Sequence, residues 1–128
     1  MKRFVVSAIA ALTMIVSPAA YAQDATGAQP LGYMIGNYEI HDEAGFQEYL
    51  EAAAPLVSQY GGRVIVFNLE AEAVEGDPRS VIAMAEFPSL AEAQRYYNSP
   101  EYTAARQLFI GSTEGWRIIT EGAGLPQQ

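Results

Sequence analysis

The run Gln59-Tyr60-Gly61-Gly62-Arg63-Val64-Ile65-Val66-Phe67 limits what this chain can fold into more than any other stretch. Upstream of it, Phe46, Tyr49, Leu50, Ala53, Leu56, Val57 and Tyr60 recur at helical spacing and make one apolar stripe, while Gln47, Glu48, Glu51 and Ser58 fall on the opposite face. Asp42 is placed to cap that helix, because its carboxylate can accept from the free N–H groups of the first turn, and Glu43 suits the positive end of the dipole. Pro55 interrupts the backbone ladder and predicts a kink. Gly61 and Gly62 end the helix, since glycine takes left-handed backbone angles without steric cost. The β-branched run that follows at once reads as a buried strand.

The remaining elements fall on either side of this junction. Tyr33 to Ile40 reads as a first strand, with Met34, Tyr38 and Ile40 on one face and Tyr33, Ile35, Asn37 and Glu39 on the other. The second strand extends from Arg63 to Ala73, Gly76-Asp77-Pro78 turns the chain, and Arg79 to Phe87 returns as a third strand. The near-continuous run Val81-Ile82-Ala83-Met84-Ala85 predicts burial on both of its faces. Ser89-Leu90-Ala91-Glu92 matches a capping box opening a helix that carries Leu90, Ala93 and Tyr97 on one side. Ser99-Pro100-Glu101 restarts a helix with proline at its first position, and Tyr102, Ala105 and Phe109 form its apolar stripe. Gly111 to Gly115 reads as a loop and Trp116 to Glu121 as the last strand. The order strand, helix, strand, strand, helix pair, strand is the βαββαβ arrangement of an α+β, ferredoxin-like fold with a four-stranded antiparallel sheet. Its helices cover one sheet face, yet the strands are apolar on both. A second copy of the chain is the simplest cover for the other face, giving an isologous dimer with a barrel-like interior.

The N-terminus has the three regions of a secretory signal peptide: basic Met1-Lys2-Arg3, apolar Phe4 to Val16 broken only by Ser7 and Thr13, and Ala20-Tyr21-Ala22 ahead of the cleavage point. The apolar run is too short to span a bilayer. The chain therefore divides into a signal peptide at 1–22, a flexible leader at 23–31, a domain at 32–122 and a flexible tail at 123–128, and the expected location is periplasmic or secreted. Beyond the signal, five arginines and no lysine face fifteen carboxylates, a net charge near −10. Such a surface repels nucleic acid and anionic membranes. There is no cysteine, which removes disulfides, thiol nucleophiles and thiolate metal sites, and a lone histidine leaves no multi-histidine metal site within one chain. No glycine-rich dinucleotide loop or nucleophile elbow is present, and no cofactor is expected.

The chain resembles the family catalogued as domain of unknown function 1330, within the dimeric α/β-barrel superfamily. The likeness runs from Tyr33 to Gly122 and is carried by Asp42 with Phe46 and Tyr49-Leu50, Ala54-Pro55, Tyr60-Gly61-Gly62-Arg63, Glu75-Gly76-Asp77, Glu86-Phe87-Pro88-Ser89 and Tyr97-Asn98-Ser99-Pro100-Glu101-Tyr102. It departs from the usual pattern at Glu43, where a helix-starting proline is common, at Phe67-Asn68-Leu69, and in the preceding signal. The resemblance implies a homodimer and an internal pocket but no activity. Superfamily relatives include cofactor-free monooxygenases, isomerases and haem-binding enzymes, and a fold does not carry a function.

Several residues have the chemistry to serve a site. His41 is a candidate general base or haem ligand, or a ring stapled against Phe46 across the helix start. Arg63 is a candidate two-pronged grip on a ligand carboxylate, or the partner of Glu86 in an ion pair. Glu86 is a proton acceptor if buried and inert if exposed at its strand end. Tyr97, Tyr102 and Trp116 are candidate pocket walls or core, and Arg106, one turn after Tyr102, is a second candidate anion contact. Two readings follow: a module binding a small organic molecule in or beside the barrel, with Arg63 and Arg106 on an acidic group, or a cofactor-free monooxygenase or isomerase of phenolic or enol substrates with His41 or Glu86 as base. A purely structural or interaction protein is the third.

Protein made in an exporting bacterium should begin at Gln23. An intact mass that retains Met1 would remove the signal reading.

Overall fold

The computed structural model describes residues 29–124. The predicted signal peptide, most of the leader and the end of the tail lie outside them. Strand β1 (Gly32–Ile40) leads into helix α1 (Glu43–Gln59), β2 (Arg63–Asn68) and β3 (Val81–Phe87) follow, then α2 (Leu90–Asn98), α3 (Pro100–Ser112) and β4 (Thr113–Glu121). The sheet order is β2-β3-β1-β4 and every neighbouring pair is antiparallel. This is the expected ferredoxin-like α+β arrangement, with three helices on a four-stranded sheet.

The double glycine does two different jobs. Gly61 has φ 75, and its N–H donates to Ser58 O at 3.0 Å, while Gly62 N–H donates to Val57 O at 2.9 Å. These are the paired bonds of a Schellman ending, which satisfy the last free carbonyls of α1. Gly62 is required by space instead: a Cβ there would lie 2.6 Å from the Phe87 ring, and Phe87 is itself only 1% exposed. The helix therefore ends against the strand that β2 must join.

Caps set the other helices as the sequence indicates. Asp42 Oδ1 accepts from Gly45 N at 3.1 Å, Ser89 Oγ from Glu92 N at 3.2 Å, and Ser99 Oγ from Tyr102 N at 3.1 Å, with Pro100 opening α3. The capping box at Ser89 is half made, because the Glu92 carboxylate grips Arg95 at 2.6 Å rather than reaching back. On α2 the deeply buried aromatic is Tyr96, 1% exposed, while Tyr97 is half-buried. One residue of rotation separates this from the expected stripe.

Three boundaries differ from expectation. β2 stops at Asn68, not Ala73, since the Asn68 side chain accepts from Glu70 N at 2.8 Å and turns the backbone out of the ladder. β3 starts at Val81, not Arg79. Asn37, buried in β1, holds the approach to it, donating to Arg79 O and Val81 O and accepting from Arg79 N at 2.8–2.9 Å. The predicted loop from Gly111 to Gly115 does not exist: α3 runs to Ser112 and β4 begins at Thr113. Ser112 and Thr113 hydroxyls donate back to Leu108 O and Phe109 O, both at 2.7 Å, while Ser112 O accepts from His41 N at 3.0 Å. The carbonyls of Leu108, Phe109 and Ser112 are thus satisfied without a loop.

Pairing assigns the two sheet faces. Met34, Gly36 and Tyr38 of β1 share the helix side with Ala83 and Ala85 of β3 and with Arg117 and Ile119 of β4. Tyr38, Phe46, Tyr49, Phe87, Tyr96, Tyr102 and Phe109 fill the space beneath the helices. The other side presents Ile35, Met84, Trp116 and Ile118, and the last two are about half exposed. β2 is largely exposed in the single chain, including Val64 and Phe67, whereas the sequence suggested a buried strand. It is an edge strand with neighbours on one side only.

Gly62→Ala should destabilise the domain by about 1–3 kcal/mol, the usual penalty for forcing atoms into a filled core. Gly61→Ala should cost about 1–2 kcal/mol from left-handed strain, with a tight contact to Pro88 Cγ at 3.0 Å adding to it. Urea unfolding of each variant measures both, and a neutral Gly62→Ala would contradict the packing at Phe87.

Candidate functional site

Arg117 stands on the inner side of β4, opposite Gly36. Its aliphatic stem crosses β1 where Gly36 offers no side chain: a Cβ at Gly36 would lie 2.8 Å from Arg117 Cγ and 3.1 Å from Cδ. The guanidinium then lies 3.6 Å from the centre of the Phe109 ring, with the Tyr49 and Tyr102 rings at 5.6 and 5.5 Å. Nη1 donates to Tyr49 Oη at 2.9 Å, and Tyr49 Oη in turn shares a hydrogen bond with Tyr102 Oη at 3.0 Å. Ring faces attract the cation, the more so where water is excluded.

No carboxylate reaches this guanidinium among the described residues. The ion pairs there are Arg63–Glu86, Arg79–Glu39 and Arg95–Glu92. Burial acts to lower the basicity of Arg117, but the oxygens of Tyr49 and Tyr102 more than offset it and hold the guanidinium above its ordinary value. It is therefore charged and largely removed from water, and its hydrogen-bond partners are hydroxyls. Burial also pushes the nearby phenols up: Tyr38 rises from 10.0 to about 12, and Tyr96 and Tyr102 rise further, with the neighbouring Tyr49 adding to the effect and Arg117 opposing it. These hydroxyls are neutral donors at physiological pH.

Beside Arg117 lies a cavity of about 310 Å³ between α1 and the sheet. Leu50, Ala53, Val57, Val64, Phe67, Met34 and Ala85 give it apolar walls, Gly36 is in its floor, and Tyr38, Tyr49, Tyr96 and Arg117 supply the polar groups. The cavity owes its volume to small residues facing each other across the layer, Ala53 and Ala54 on α1 and Gly36, Ala83 and Ala85 on the strands. A second cavity of about 240 Å³ shares Met34 and Arg117 and is completed by Tyr97, Ile118 and Ile119. Arg117 therefore stands between the two. Among the described residues no group of three His, Cys, Asp or Glu could hold a metal ion.

The residues singled out in the sequence do not form one cluster. Tyr102 is fully buried and belongs to the array under Arg117. Tyr97 lines the second cavity, and Arg106 covers the Tyr97 ring at 4.6 Å instead of facing the main cavity. Arg63 is largely exposed and paired with Glu86 at 3.1 Å, the ion-pair alternative, while Tyr33 Oη donates to the same carboxylate at 3.3 Å. Trp116 lies on the far side of the sheet, and His41 is exposed at the start of α1; neither lines a cavity described here. Sequence reasoning passed over Arg117, Tyr49's role and Gly36. The available signal was the alternation in Trp116-Arg117-Ile118-Ile119, which sets Arg117 on one face with Ile119 and leaves to the sheet pairing which face turns inward.

A family model described as a domain of unknown function, DUF1330, matches residues 31–123. The chain belongs to that family. No curated protein matches this DUF1330 chain. Among solved structures it is similar to the RPA0582 protein of unknown function from Rhodopseudomonas palustris, with 15% identity and a TM-score of 0.63 over 89% of this chain and 96% of that one. It is also similar to SnoaB, a cofactor-independent oxygenase from Streptomyces nogalater, with 12% identity and a TM-score of 0.54 over 71% and 91%. A dabb family protein with a ferredoxin-like fold from Mesorhizobium loti shares 18% identity at a TM-score of 0.52, over 78% of this chain and all of that one (100%). At these identities the likeness establishes the fold of the DUF1330 domain and leaves its chemistry to its own residues.

The raised phenols carry a pH signature. Their folded values lie above the unfolded value near 10, so the stability they contribute is complete below pH 10 and is lost as pH rises from there through about 12, where Tyr38 titrates. Thermal unfolding followed across pH 9–12 should show this fall. Tyr102→Phe should weaken it, and an unchanged alkaline limb would contradict the burial of these hydroxyls.

Proposed function

We propose that this DUF1330 domain is an exported, homodimeric module that binds a small organic molecule in the cavity between α1 and the sheet, with an acidic group of the ligand on Arg117. The observation that carries the reading is a largely desolvated guanidinium with no carboxylate partner among the described residues, beside about 310 Å³ of apolar space. A buried charge is costly unless paired, and a ligand anion supplies the missing pair. Apolar walls with a few convergent polar groups are the usual make-up of a small-molecule site. The open sheet face, with Ile35, Met84, Trp116 and Ile118, supports the homodimer, since a patch of this kind on an otherwise charged surface calls for a partner.

Binding is favoured over turnover by a cofactor-free oxygenase or isomerase. Among the described residues lining the cavity there is no histidine and no carboxylate, and burial holds Tyr38 and Tyr96 neutral, so the usual general bases are missing from this set. An enzyme built on this site would rely on a substrate already ionised, with Arg117 as the oxyanion contact.

Native mass spectrometry of protein taken gently from an exporting host tests the reading. The expected result is a dimer carrying added mass, which Arg117→Met reduces to a small residual fraction. Equal added mass in Arg117→Met would remove the anion contact, and a clean monomer would remove the dimer. His41→Ala and Glu86→Gln should leave ligand occupancy within about twofold of wild type, because neither lines the cavity; a tenfold loss in either would restore them as site residues.

A further inference from the structure

The geometry points to a specific ligand class and to the residue that selects it: the cavity takes singly charged carboxylates with an apolar body, and Gly36 is the positioning residue that lets Arg117 receive them. This rests on the reading of Arg117 as the anion contact. Among the described residues, one guanidinium is the only formal charge on the cavity lining. A carboxylate neutralises it one for one, whereas a phosphate dianion would leave an unpaired negative charge against apolar walls. The fork of a guanidinium also matches the two carboxylate oxygens, and the groups it touches in the folded chain, Tyr49 and Tyr102, are hydroxyls rather than carboxylates. The net negative charge of the whole chain further disfavours multiply charged anions.

Gly36 acts through Arg117 rather than on the ligand. With the stem lying across the bare backbone of β1, the guanidinium is held between Phe109 and the cavity. Any Cβ at Gly36 would meet the stem at Cγ, close to its root, where rotation of the far end gives no relief, and Tyr38 Cε1 at 3.1 Å closes the other side. Alanine at this position lifts the arginine off β1 and turns its charge away from the cavity, while β1 itself keeps its pairing with β3 and β4.

Three probes of one shape separate the possibilities: 2-naphthoate, its neutral amide and 2-naphthyl phosphate, titrated into wild type, Arg117→Met and Gly36→Ala by calorimetry. Wild type is expected to bind naphthoate at least tenfold tighter than either alternative, and both variants are expected to lose that preference while still binding the amide. Tightest binding of the phosphate would overturn the carboxylate class and leave the anion contact standing. No preference for either anion over the amide, or no binding of any probe, would overturn the proposal. A naphthoate preference that disappears in Arg117→Met but persists in Gly36→Ala would overturn the role of Gly36 alone. A ligand-free readout guards against misfolding: the Phe109 ring should shift the Arg117 Nε–H proton resonance upfield in wild type, identified by its loss in Arg117→Met. In Gly36→Ala that resonance should return toward the ordinary arginine position while the amide spectrum of the sheet is preserved. A shift unchanged from wild type would show that Gly36 does not position the arginine.

Discussion

A charge largely removed from water governs the interior of this domain. Arg117 is placed under the helices by its strand register, and each neighbour answers that placement: Phe109 offers a ring face, Tyr49 and Tyr102 offer oxygen, and Gly36 offers room. The aromatic content of the core is the practical consequence. Aliphatic side chains would fill the same volume but give the cation nothing. Because Tyr102 is itself buried, it stays neutral and does not neutralise the guanidinium. The positive charge is left available on the side where the cavity opens.

The fold makes that arrangement possible by layering on one side only. Helices α1, α2 and α3 cover a single face of the sheet, and the cavity forms where alanines on α1 oppose glycine and alanine on the strands. Had those positions carried leucine or isoleucine, the layer would have closed. Small residues in facing positions normally bring a helix and a sheet into direct contact. Here the large rings at one end, Tyr38, Phe46 and Phe109, hold the layers apart, and the small residues leave a void beside them.

Local chemistry made the topology readable. Asp42, Ser89, Ser99-Pro100 and Gly61-Gly62 each announce a helix boundary by a mechanism that needs no tertiary partner, and each boundary stands where that mechanism puts it. The end of β2 was less legible, since the side-chain bond of Asn68 to Glu70 wins over the alternating pattern that continues to Ala73. Ser112 and Thr113 likewise close α3 through their own hydroxyls, which replaces the loop suggested by Gly111 and Gly115. The site was harder still. Arg63 and Arg106 sit beside recognisable motifs, whereas the arginine that faces the cavity does so only because β1 and β4 pair in one register, a fact of the assembled sheet. Reading Gly36 required knowing which side chain crosses it, and that too belongs to tertiary structure.

The irregularity between Val64 and Val66 has a consequence for how the protein behaves among its own copies. β2 is a sheet edge rich in Val and Ile, the composition that invites another chain to add a strand. A bulge breaks the even spacing of its outward N–H and C=O groups and increases the local twist, so an incoming strand cannot match the row. The short length of β2, ended by the turn at Asn68, shortens the template further. Association through the broad sheet face thus remains open, while strand addition at the β2 edge is hindered: the surface chemistry there is steered toward a closed assembly and away from a fibre.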